Sequence, residues 1–179
     1  YPGAEERFDS LVEAHDDVAM LGEREEGDDE ESPRLPWAIL RDVNPEREDA
    51  PWFQEEAFCS VACETRLSGE DAAAFLERAV DFCNECLWGT LNASLIIHPE
   101  TRRQLDDALE QAIDDLQYGS VVINHWPALS YALGVTPWGG YPGSTYQDIQ
   151  SGIGFVHNTR LFDRPQKSVV QGPFRMWPK

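Results

Sequence analysis

The sequence is short of positive charge. It has 14 Lys and Arg against 33 Asp and Glu, a formal net charge of −19 over 179 residues. Binding to nucleic acid or to an anionic membrane surface needs clustered Lys and Arg, so both partners are excluded as expectations. Uninterrupted hydrophobic runs are also missing. No stretch of about 18 apolar residues exists, so no transmembrane helix is expected. The opening residues, YPGAEERF, contain two acids and no apolar segment, unlike a secretory signal. Tyr1 is not a natural start, which suggests a cut or processed chain. Hydrophobic residues make up 41% and charged residues 26%. Those proportions fit a globular chain with its own core, expected in the cytoplasm.

Part of the negative charge falls in one run, Glu23 to Glu31 (EREEGDDEE). Such a block repels itself and reads as a solvated loop. It does not match a calcium loop, which needs acids at alternating positions around a Gly and a late Glu. Cysteines number four: Cys59, Cys63, Cys83 and Cys86. Their spacing, CxxxC and CxxC, permits a zinc module in principle. Both pairs sit inside regular patterns rather than at turns, so small buried thiols in a reducing compartment are the favoured reading and no metal is expected.

Periodicity divides the chain into three parts. Residues 1–51 read as mostly irregular, with a weak helical pattern over Glu5 to Ala19 (Phe8, Leu11, Val12), the acidic loop 23–31 and a short strand over Trp37 to Leu40. Residues 52–126 read as a regular α/β part. Ala57 to Leu67 is strand-like. Ser68 and Asp71 approximate a capping box. The following helix carries Phe75, Ala79, Phe82, Cys83 and Cys86 as a buried stripe and stops at Gly89. Ala93 to His98 is a second strand. Pro99 opens a second helix with Leu105, Leu109, Ala112, Ile113 and Leu116 inward, and Gly119 closes it. Ser120 to Asn124 is a third strand. The order strand-helix-strand-helix-strand predicts an α/β fold with crossover helices. Residues 127–179 are rich in Gly, Pro and aromatics. They read as a structured loop wall, a short helix and a terminal strand (KSVVQGPFR) that is an exposed edge unless paired.

These residues resemble the aldehyde dehydrogenase superfamily. Gln54 to Ser60 (QEEAFCS) is similar to its Glu-x-Phe-Gly-Pro motif. The Leu-Trp-Gly at 87–89 ends a helix where the family commonly has Tyr-Gly-Leu. YGSVVIN resembles Ala-Gly-x-Val-x-x-Asn. TPWGGYPGS resembles Pro-Phe-Gly-Gly-x-Lys-x-Ser-Gly, and KSVVQGPFR stands where the family has Lys-Thr-Val before its last strand. The likeness spans about residues 52 to 175 and suggests a divergent branch.

The resemblance implies the C-terminal portion of the catalytic domain, followed by the loop-rich tail and a strand used in homo-oligomerisation. It implies an NAD(P)-dependent oxidation of a small-molecule aldehyde to an acid through a cysteine thiohemiacetal. It assigns Glu56 to the nicotinamide ribose, with Glu55 as the neighbouring candidate, and Phe58 to the nicotinamide ring. Trp138 falls at the substrate tunnel. Asn124 and Gly139 fall at structural positions. Departures from the pattern are Cys59 and Ser60 for Gly-Pro, and Pro142 for Lys. The family's nucleophile lies farther upstream than these residues reach. Cys59 follows the motif and is not expected to replace it, so no catalytic residue is assigned and this piece alone is expected to be inactive. A non-catalytic, aldehyde-dehydrogenase-like binding or assembly module is the alternative.

Overall fold

The computed structural model describes residues 1–25 and 34–175, and these form a mixed α/β structure. Residues 26–31 of the acidic run lie outside the described residues. Two compact units result: Tyr1–Ser68 with Cys86–Trp88, and Gly69–Glu85 with Gly89–Lys179.

The first unit opens with α1 (Ala4–Glu13) after Gly3, which takes the left-handed conformation. Glu5 and Glu6 in its first turn suit the positive end of the helix dipole. Phe8 and Leu11 are its buried residues. β1 (Val18–Leu21) pairs antiparallel with β2 (Trp37–Val43), and β2 pairs parallel with β3 (Val61–Thr65). Ala38 and Leu40 point inward at the two-residue spacing of a strand. The register then shifts between Leu40 and Val43, where Asp42 has φ 53°, and the shift turns Val43 into the core. A short helix, α2 (Pro51–Gln54), buries Phe53. The described residues among the first 51 therefore hold more regular structure than their sequence pattern suggests. Four-residue strands are too short for periodicity to register.

The second unit holds α3 (Ala72–Glu85), β4 (Asn92–Leu95), α4 (Pro99–Asp115), β5 (Ser120–Ile123), α5 (Leu129–Ala132), β6 (Trp138–Gly139), β7 (Phe155–Val156) and β8 (Ser168–Gln171). Strands β4, β5 and β8 form an all-parallel sheet in that order. β5 is central and buried throughout, which is why it reads as a continuous apolar run. α4 crosses between the paired parallel strands β4 and β5. α3 does not make such a crossing, because β3 and β4 belong to different sheets. The expected unbroken strand-helix-strand-helix-strand sheet is thus realised only in its second half. β8, expected as a terminal edge, pairs with β5 on one side and forms the margin of this sheet.

Two local expectations change. Asp71 is itself the cap of α3, because its Oδ1 accepts from the backbone N–H groups of Ala73 and Ala74 at 2.9 Å each. The buried face of α3 centres on Leu76 and Val80, while Phe75 is 46% exposed. The helix is apolar over a wide arc, so periodicity alone admits either stripe, and packing against α4 and β5 selects one. α3 also stops four residues before Gly89, which takes φ 99° in the loop beyond. α4 follows its pattern more closely: His98 caps it, Pro99 opens it, and Leu109, Ala112, Ile113 and Leu116 are buried in one cluster with Val121 and Ile123. Asp106, with φ 24°, marks a kink within it.

Among the described residues no helix is long and apolar enough to cross a membrane. Leu109 is 2% exposed at the centre of the core cluster. Leu109→Ala is expected to cost about 2–5 kcal/mol, whereas Leu161→Ala, at a position 72% exposed, should cost less than about 0.5 kcal/mol. Urea unfolding of the two variants checks the contrast.

Candidate functional site

The second unit contains a cavity of about 540 Å³ whose walls come from three separate stretches: Gly119, residues 137–155 and residues 164–167. Backbone proximity builds it. A side-chain carbon on Gly119 would lie 1.9 Å from the Gly139 carbonyl oxygen, and one on Gly139 would lie 2.3 Å from that of Gly154. Both positions therefore require glycine, as expected for Gly139. The Thr90 carbonyl accepts from the N–H groups of Gly119 and Tyr141, at 2.9 and 3.1 Å. Ser168 joins the same place: its N–H donates to the Gly119 carbonyl and its hydroxyl to the Pro137 carbonyl.

Lys167 anchors the floor. Its ammonium donates to the carbonyls of Ile113, Asp114 and Leu116 at 2.7, 2.7 and 2.6 Å. All three ammonium protons are thereby used at the C-terminal end of α4, where carbonyls lack helical partners and the dipole favours a cation. Burial pulls the Lys167 pKa down, and the Asp114 and Asp115 carboxylates oppose that. The three carbonyl acceptors also favour the charged form. Asn84 completes this cap, its amide donating to the Asp115 carbonyl and its oxygen accepting from the Gln117 N–H. Lys167 lies 5.5 Å from the Tyr141 ring centroid, and Gln166 donates to the Tyr141 hydroxyl at 2.6 Å.

Glu56 and Phe58 belong to the first unit, in the segment between α2 and β3. Arg7 holds that segment by donating to the carbonyls of Ala57 and Phe58. The Glu56 carboxylate is exposed and makes no hydrogen bond or ion pair among the described residues. Phe58 is 48% exposed, has φ 44°, and its ring meets that of Tyr1 at 5.3 Å. Trp138 lies in the second unit, half-buried on β6. It stands edge-on to Tyr131 at 5.7 Å, and Tyr131 meets His157 at 5.0 Å. The His157 Nδ1 is buried without a hydrogen-bond partner among the described residues. The structure thus brings Glu56 and Phe58 into one segment, and gives Trp138 a different set of aromatic neighbours.

Sequence reasoning did not single out Tyr131, Tyr141, His157, Arg164 or Gln166. The backbone is left-handed at His157, Asn158 and Arg164; Asn and His are types enriched in that region, whereas Arg164 gives no such signal. Asn124 behaves as a strand-end residue: with φ 56°, its side chain accepts from the Ile97 N–H and donates to the Ile97 carbonyl. The four cysteines form no disulfide. Among the described residues no group of three or more His, Cys, Asp or Glu converges to hold a metal ion. Burial pushes up the thiol pKa of Cys59, against a Val61 backbone hydrogen bond and the Arg7 charge, and also that of Cys63. A nucleophilic thiol needs the opposite shift.

No family model matches the chain, and no curated protein sequence matches it.

Two outcomes follow from the groups that fix α4. Lys167→Met keeps the alkyl stem but strands three carbonyls, so a loss of about 1.5–3 kcal/mol is expected in thermal unfolding. Tyr118 is buried and donates to the Cys83 carbonyl at 3.0 Å, and burial pushes its phenol pKa up. Below pH about 10 both folded and unfolded states keep this proton. Above it the unfolded state loses the proton first, so stability falls as pH rises. Tyr118→Phe should therefore cost about 0.5–1.5 kcal/mol at neutral pH. That deficit should shrink above pH about 10, by up to about 1.4 kcal/mol per pH unit. Denaturant midpoints of both proteins from pH 7 to about 11 measure the crossing.

Proposed function

We propose that this chain is the C-terminal portion of an NAD(P)-dependent aldehyde dehydrogenase that oxidises an aldehyde to a carboxylic acid, with its nucleophilic cysteine in a more N-terminal segment. One observation carries the reading. Three of the stretches that resemble the family, 118–124, 136–144 and 167–175, are far apart in sequence yet interlock by main chain. Gly119 packs on Gly139, and Ser168 bonds the carbonyls of both Gly119 and Pro137. Interlocking of this kind explains why Gly119, Gly139 and a small hydroxyl at Ser168 are needed together.

The acceptor chemistry of the Glu56 segment suits a dinucleotide ribose. An exposed carboxylate without another partner among the described residues can accept from both hydroxyls of a ribose, and a half-exposed Phe58 ring offers an apolar face to a nicotinamide. A bound NAD(P) would supply a hydride acceptor. Glu56 would orient its ribose and Phe58 would limit the ring's position, while Arg7 holds their backbone. Trp138, in the second unit, stands where the resemblance places an aromatic of the substrate tunnel. In the homo-oligomer implied by the resemblance, the free margin of β8 is the pairing edge. The family's general base, like its nucleophile, belongs to the more N-terminal segment, so no proton transfer or bond-making step is assigned to residues of this chain.

The alternative, a non-catalytic module of the same ancestry, is favoured by Pro142 standing where the family has Lys. Titration of the full-length protein with NAD and with NADP tests the proposal. At a cofactor concentration about 100 times Kd, binding adds about 2.7 kcal/mol to the folded state. A rise of roughly 5–10 °C in melting temperature is then expected for a domain of this size. Glu56→Gln should weaken cofactor binding by about tenfold or more. No rise with either cofactor overturns the reading. A rise without aldehyde-dependent cofactor reduction supports the non-catalytic alternative.

A further inference from the structure

The cavity of the second unit has a charge pattern opposite to that of the chain. Among the described residues, its sixteen lining residues include Arg164 and Lys167 but no Asp or Glu. With 33 acids in 179 residues, a lining of sixteen would hold about three acids if charge were spread evenly. The two cations differ in availability. Lys167 has spent its protons on the α4 carbonyls and contributes only its positive field. Arg164 forms no ion pair or hydrogen bond among the described residues, although acids outnumber bases more than twofold in the sequence. Its backbone is in the left-handed region, φ 52°, a costly conformation for a residue with a side chain.

A second donor stands in the same lining. The Tyr141 hydroxyl accepts from Gln166, which leaves its own proton free to be donated. The rest of the wall is mostly apolar, with glycine and proline residues, the Ile153 side chain and the Phe155 ring, and Ser144 and Gln166 are its other polar side chains. A volume of about 540 Å³ lies within the range of small-molecule sites. One uncommitted guanidinium matches a single negative charge better than the double charge of a phosphate ester. The apolar wall demands a hydrophobic body behind that charge.

We propose that this cavity binds a small aromatic monocarboxylate. Arg164 and the Tyr141 hydroxyl supply the carboxylate donors, Lys167 supplies a fixed positive field, and Ile153 and Phe155 cover the ring. The site does not depend on the dehydrogenase reading, because none of these residues is a cofactor or catalytic residue in it.

Calorimetric titration of the chain with benzoate, benzamide and inorganic phosphate tests the site. Benzoate is expected to bind one to one, with benzamide and phosphate each at least about tenfold weaker. Arg164→Gln should weaken benzoate about tenfold or more, and Arg164→Lys should restore part of that loss. Arg164 is exposed, so the melting temperature should stay unchanged in both variants. Ile153→Asp, at a wall position 50% exposed, adds an acid to the lining and should abolish benzoate binding while leaving the circular dichroism spectrum intact. The proposal is overturned if benzoate does not bind, if benzamide or phosphate binds as tightly, or if both Arg164→Gln and Ile153→Asp bind benzoate like the wild type.

Discussion

Three carbonyls at the end of α4 converge on one ammonium. A helix ends with acceptors that have no partners in the helix itself, and leaving them bare beside a core is costly. Lys167 meets this need from more than fifty residues downstream. Because Ser168 follows it directly, the same contact sets where β8 begins. β8 then lies in register with β5, Ser120 opposite Ser168. The Ser168 side chain in turn reaches the loop that carries β6. Helix end, sheet margin and cavity floor are thus fixed by one side chain and its neighbour.

Close backbone approach is the companion constraint. Gly119 and Gly139 have no room for a side-chain carbon, so the loop carrying β6 lies directly against the entry to β5. The buried hydroxyl pair Ser120 and Ser130, 2.6 Å apart, stitches the same loop from the other side. Each polar group satisfies the other, which removes the penalty of burying either alone. The aromatic cluster of Tyr131, Trp138 and His157 sits on this framework. Its positions therefore follow from backbone packing more than from the local preferences of the loop.

Legibility in the sequence varied with the kind of signal. The pattern Leu105, Leu109, Ala112, Ile113 and Leu116 marked the core face of α4, because the opposite face is almost wholly charged or amide-bearing. α3 lacked such contrast, and its face shifted by one residue from Phe75 to Leu76. The residues that resemble the dehydrogenase family drew attention to Glu56, Phe58 and Trp138. They gave no hint of Arg164 or Tyr141, whose interest comes from sharing one acid-free lining.

Length, charge and periodicity in the sequence by themselves determined the mixed α/β class, the absence of an apolar helix long enough to span a membrane, and the α4 core face. Those features are local or compositional, so they are written in adjacent residues. Only the tertiary structure decided that α3 joins strands of separate sheets and that Lys167 caps a distant helix. It also decided that, among the described residues, a strongly acidic chain lines one cavity with two cations and no acid. These depend on residues tens of positions apart meeting in space, and no spacing within a single segment encodes such a meeting.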